Sequence, residues 1–282
     1  LQQIEDFADA TVSANDCFRP VSRYFDRLQR PEQLIPALER AFGALTDPAA
    51  CGPVTLALCQ DAQAEAYDYP AHMFEPRLWR ARRPRADRAE LAAAAAALRE
   101  AKRPVIVCGG GVLYSQAEED LAFFAETRGV PIVETQAGKS ALVDAHPMNM
   151  GAVGVTGTQA SNRLCAEADL ILAVGTRLQD FTTGSWALFA GEGRRIVALN
   201  TQPMDAAKHR ALSLVADARA GLRELDAALG PWGAPAAWTQ VAREAKAAWT
   251  DAAARYTQAA NVDRPSDAQV VGAVGGQHLI DD

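Results

Sequence analysis

Lysine is nearly missing from this 282-residue chain, accounting for four of its 28 basic residues. A net charge of -7 with charged residues at 22% excludes a polycationic coat for nucleic acid, and equally a disordered acidic tail. The histidines are few and far apart, at His72, His146, His209 and His278. The five cysteines, Cys17, Cys51, Cys59, Cys108 and Cys165, form no CxxC pair. Neither set has metal-ligand spacing, so no metal site is expected, and the odd, scattered thiols fit a reduced, cytoplasmic setting. No apolar run approaches the ~20 residues of a membrane-spanning helix; the longest, residues 92–98, is nearly all alanine. A GxSxG elbow, an HExxH helix and a cysteine beside a histidine are absent too, so no complete catalytic site is visible.

Alanine is what the chain has in plenty, 59 residues, and it inflates the 49% hydrophobic share. The length allows one or two domains. An opening Leu1 and a helix-like final run give the expectation of a segment of something longer.

Residues 1–30 lack sustained periodicity and read as loop and extended chain. Pro31 opens a helix with Leu34, Ile35, Leu38, Phe42 and Leu45 at the 3.6 period. Residues 54–59 read as a buried strand. From 60 to 87 three prolines and a run of arginines mark a linker rather than a phosphate-binding patch. Beyond it strands and helices alternate. Asp87 caps a helix to Arg99, and strands are expected at 104–108, 130–133, 169–174, 195–199 and 212–215. Helices fall at 115–128, 157–167 and 218–229, with two more after Pro235. Short apolar strands without polar alternation, separated by helices, predict an α/β fold: a Rossmann-like, doubly wound parallel sheet with partial flanking domains.

Gly109, Gly110 and Gly111 follow a strand where a dinucleotide loop would sit, but Tyr114 breaks the GxGxxG pattern, and a tight turn explains them as well. Gly138-Lys139-Ser140 resembles the end of a Walker A loop, yet Val133 stands where its first glycine belongs. Lys139 still projects a cation at the sheet's carboxyl edge, where ligands of such folds collect. Gly151, Gly154 and Gly157 precede Thr158, an N-cap candidate. Arg177 and Asp180 are read as a ligand clamp or a local ion pair.

The order GPVTLALCQD, KRPVIVCGGGV, VPIVETQAGKSAL, HPMNMGAVGVTGT, ADLILAVGTRLQDFTTGS and LVADAR resembles the interior of thiamine-diphosphate-dependent enzymes of the acetohydroxyacid synthase type. SANDCFRPVSRYFDRLQRPEQL, CQDAQAEAYDYP and GTRLQDFTTGSW resemble the branch that hydrolyses polyhydroxylated cyclohexane-1,2-diones in inositol breakdown. The resemblance implies the end of a pyrimidine-binding domain at 1–62, a linker at 63–86, and a middle domain at 87–230. A linker and the start of a pyrophosphate-binding domain would fill 231–282. It implies thiamine diphosphate and Mg2+ in the full-length enzyme, held mainly outside this segment, and catalytic residues outside it as well. A small cyclic dione would be the substrate, and the full-length enzyme would self-associate to a dimer or tetramer. Gln136, Gly138 and Lys139, with Gly109, Gly110 and Gly111, are the candidates for a cleft wall. Relatives with FAD place acidic residues at the end of the fourth strand; Ala198 and Asn200 stand there, so FAD is not expected. An acetolactate synthase-type carboligase and a stand-alone nucleotide-binding module remain as alternatives.

Overall fold

The computed structural model describes residue 8, residues 13–258 and residues 263–277. His278 and most of the first twelve positions lie outside them. The chain divides into two compact units, residues 1–84 and residues 85–282.

In the first unit, a 3-10 turn at Ala14–Val21 precedes strand β1, Tyr24–Leu28. Both fall in the stretch read as loop and extended chain. The exposed-looking sequence YFDRL carries two charges, and only pairing with a later segment makes it a strand. That partner is β2, Val54–Leu58, which lies parallel to it with Tyr24 opposite Val54. The helix α1, Leu34–Thr46, makes the crossover and buries Ala37 and Ala41. At its start the Gln33 side chain accepts the Gln29 and Arg30 amides. After the short helix α2, Gln60–Ala64, the aromatic stretch folds back on α1. Trp79 stacks on Phe42 at 5.5 Å, Arg77 lies over Trp79 and pairs with Glu39, and the Tyr69 hydroxyl donates to the Pro31 carbonyl.

The second unit is a six-stranded, wholly parallel sheet. Its helices and strands follow in order: α3 Arg88–Glu100, β3 Pro104–Cys108, α4 Gly110–Tyr114, α5 Glu118–Arg128, β4 Ile132–Glu134, β5 Asn149–Ala152 and α6 Gln159–Glu167. Then come β6 Leu170–Val174, α7 Asp180–Thr183, β7 Arg195–Asn200, α8 Pro203–Ala206, β8 Leu212–Val215, α9 Ala218–Leu229, α10 Ala236–Thr257 and α11 Asp267–Gln277. Spatially the strands run β5-β4-β3-β6-β7-β8. The chain winds outward from β3 in one direction, returns, and winds outward from β6 in the other, which is the dinucleotide-fold order.

Alternate residues of each central strand serve opposite faces. Ile106, Leu170, Leu172 and Leu199 pack with α3, α5 and α9, where Leu98, Phe124 and Leu225 are fully buried. Val105, Val107, Ile171 and Ala173 pack on the other side with Leu164 and Cys165 of α6 and Trp238 of α10. Each fully buried Leu, Ile or Phe contributes about 1.5–3 kcal/mol of transfer free energy. Alanines 94, 95 and 97 give α3 a smooth buried face. Asp87 caps α3 by accepting the Ala89 and Glu90 amides, and Asp217 caps α9 the same way.

Two expectations are corrected. The helix expected over 115–128 starts only at Glu118, as α5, and the short helix α4 lies before the expected start, the two parted where Gln116 takes φ 52°. Strand β5 was not expected at all, because Asn-Met-Gly-Ala has no strand propensity; it pairs with β4 through an irregular register.

Candidate functional site

In sheets of this order the ligand crevice opens at the carboxyl edge between the two strands from which the winding diverges, here β3 and β6. The chain fills that position with its own backbone. The Gly109 amide donates to the Val174 carbonyl and the Gly111 amide to the Gly175 carbonyl, both at 2.9 Å. A Cβ on Gly111 would lie 2.6 Å from the Gly175 Cα, and one on Gly109 would strike the Gly175 carbonyl and Thr176. Gly175 itself sits at φ +59°. The glycine run therefore serves contact between two loops of one chain. Gly138 does the same from the third loop, where a Cβ would collide with the Cys108 carbonyl.

Thr135 to Lys139 form a tight turn at this edge. The Thr135 hydroxyl accepts the Gly138 amide at 3.1 Å. Gly138 is buried, whereas Gln136, Lys139 and Ser140 face outward. Gly110 and Ala137 lie in near contact, so the structure brings Gly109, Gly110, Gly111, Gln136, Gly138 and Lys139 to one rim.

Beneath the turn is a residue that sequence reasoning passed over. Glu134 ends β4 with 0% exposure. Its Oε1 accepts the Leu142 amide at 3.3 Å, and its Oε2 has no hydrogen-bond donor among the described residues. The Lys139 Nζ lies 3.7 Å away as its ion-pair partner. Burial, and then the charge of Glu134, push the neighbouring Cys108 thiol far above the ordinary thiol range. The sequence shows only a carboxylate closing an apolar strand, which reads equally as an exit to solvent; once buried, such a residue needs a partner.

On the other side of the crevice, Asn200 ends β7. Its Nδ2 donates to the Thr176 carbonyl at 3.2 Å and its Oδ1 accepts the Gln202 amide at 3.0 Å. Arg177 does not pair with Asp180, as its spacing suggested. Asp180 opens α7, and Arg177 reaches Asp205 at 3.5 Å, which also holds Lys208 at 2.6 Å. Both arginine and asparagine are thus engaged by the chain itself. Thr158 caps α6 through the Ser161 amide, and Asn162 bonds both backbone groups of Gly154. Among the described residues no group of three or more His, Cys, Asp or Glu side chains could hold a metal ion.

A parallel sheet in this strand order, with three glycine-bearing loops meeting at its switch point, defines a Rossmann-like α/β domain. Residues 91–225 match the family described as thiamine pyrophosphate enzyme, central domain. The chain is 45% identical over 249 residues to 3D-(3,5/4)-trihydroxycyclohexane-1,2-dione hydrolase 1 of Bacillus cereus, covering 88% of the chain and 39% of the relative. It is 43% identical over 257 residues to the 3D-(3,5/4)-trihydroxycyclohexane-1,2-dione hydrolase of Clostridium perfringens, covering 91% of the chain and 40% of that relative. It spans about two fifths of the length of these curated relatives.

Proposed function

We propose that this chain is the central portion of a thiamine-diphosphate-dependent hydrolase that opens a polyhydroxylated cyclohexane-1,2-dione ring by C–C cleavage. The observation that carries the reading is the 45% identity over 88% of the chain. In this reading residues 1–62 end a pyrimidine-binding domain, 63–86 are a linker, 87–230 form the middle domain, and 231–282 lead into a pyrophosphate-binding domain. The protein works in the cytoplasm as a dimer or tetramer; no helix among the described residues is long and apolar enough to cross a membrane.

The described residues do not fit the task of holding a diphosphate-bound Mg2+, since they gather no carboxylate cluster. That task, and the catalytic groups, we assign to other parts of the whole protein. Nor do they fit a flavin dinucleotide: Asn200 stands where a carboxylate would accept the ribose hydroxyls, and its amide is spent on Thr176. The chain's own contribution is a rigid wall, with Gln136, Gly138 and Lys139 on its rim beside the Gly109 to Gly111 loop.

The test is product analysis. The whole protein with thiamine diphosphate and Mg2+ should convert trihydroxycyclohexane-1,2-dione to an open-chain deoxyuronic acid, and the 282-residue chain alone should not. Formation of acetolactate from pyruvate by the whole protein, without ring opening, would sink the proposal. A flavin absorption band in the purified protein would sink its flavin-free part.

A further inference from the structure

Lys139 looks, in the sequence, like an anion binder: a cation in a glycine-containing turn at the edge where phosphates commonly collect. The structure places a second charge under it. Glu134 is fully buried, its Oε2 meets no hydrogen-bond donor among the described residues, and Lys139 Nζ, 3.7 Å away, is its ion-pair partner. At that distance, within the ordinary ion-pair limit but too long for a hydrogen bond, the ammonium keeps its N–H donors while the buried carboxylate beneath it opposes its field. Gln136 and Ser140 add a carboxamide and a hydroxyl on the same exposed turn. The turn is held stiff below by the Leu142 amide on Glu134 and the Gly138 amide on Thr135.

We propose that Glu134 is a specificity-determining residue: by neutralising Lys139 it makes the turn of residues 136–140 a subsite for uncharged, polyhydroxylated or carbonyl-bearing rings and closes it to anions. The preference for such a ring rests on the function proposed above; the exclusion of anions does not. The substitution Glu134→Gln keeps an acceptor for the Leu142 amide, removes the charge and sets an NH2 group where Oε2 stood.

The four lysines make this directly observable, because reductive methylation with 13C-formaldehyde gives each a resolvable signal and preserves its charge. In the wild-type chain, titration with inorganic pyrophosphate should shift exposed Lys102 well before Lys139. In Glu134→Gln the apparent affinity read at Lys139 should rise about tenfold. Excess myo-inositol, the neutral probe, should shift Lys139 and leave Lys102 unmoved. If wild-type Lys139 answers pyrophosphate as readily as Lys102, or if the folded variant gains nothing, anion exclusion is wrong. Should the variant fail to fold, the comparison of the two lysines in the wild type decides alone. Silence of Lys139 to myo-inositol overturns the ring preference. A whole protein that fails to open the dione while Lys139 still rejects pyrophosphate would overturn the function and leave the exclusion standing.

Discussion

Cys165 on α6 is wholly enclosed, and burial pushes its thiol up to about 12, opposed weakly by the charge of Arg194. An unfolded thiol loses its proton near its ordinary value of 9.0. Between those two values the unfolded chain binds fewer protons than the folded one, so this cysteine's contribution is intact below pH 9 and is lost as pH rises towards 12. Replacing Cys165 with Ala should flatten the alkaline fall of stability in that window, measured by urea unfolding at a series of pH values. The same enclosure predicts an order of thiol labelling. Cys17 and Cys51 are exposed and should react with a disulfide reagent at once, half-buried Cys59 more slowly, and Cys108 and Cys165 only on unfolding. Gly138 gives the sharpest steric test. Gly138→Ala drives a methyl into the Cys108 carbonyl and should cost about 1–3 kcal/mol, read as a lower midpoint of urea unfolding. Glu134 shows why some of the site escaped the sequence: a strand-ending carboxylate reads as an exit to solvent, and only the loop of residues 138–143 closing over it makes it interior.

Elements were legible where periodicity was strong and local. The strands at 104–108, 170–174 and 195–200 and the helix Ala218–Leu229 follow the apolar pattern closely. β1 and β5 were not legible because their strand character comes from pairing, Tyr24 with Val54 and Ile132 with Asn149, rather than from their own residues. Arg177 failed for the same reason: its true partner Asp205 lies beyond another strand. One element junction depends on a single side chain. Arg128, at the end of α5 and 7% exposed, pairs with Asp226 at 2.7 Å and donates to the carbonyls of Asp226, Gly230 and Trp232. It thereby ties the turn between α9 and α10 to α5. Arg128→Ala strips a buried pair of its cation and should cost about 3–5 kcal/mol, with amide exchange of residues 230–235 rising most. Lys246 of α10 makes a comparable hold, donating to the carbonyls of Asp144 and His146.

At the scale of the molecule, the second unit has a complete sheet covered on both faces, whereas the first has two strands of mostly intermediate burial. A two-stranded sheet is marginal in water by itself. Residues 85–282 should therefore unfold in one cooperative transition that survives removal of residues 1–84, read as an unchanged midpoint by circular dichroism. An early melting of the shortened chain would count against that independence.

The seam between the loops after β3 and β6 is made of amides and carbonyls, Gly109 with Val174 and Gly111 with Gly175. Main-chain atoms are the same whatever residue carries them, so a point mutation can break this join but cannot redraw it. Widening the crevice for a dinucleotide would take added residues in one of the two loops. What this fold admits is therefore written in loop length, and a change of ligand here would be inherited as an insertion rather than as a substitution.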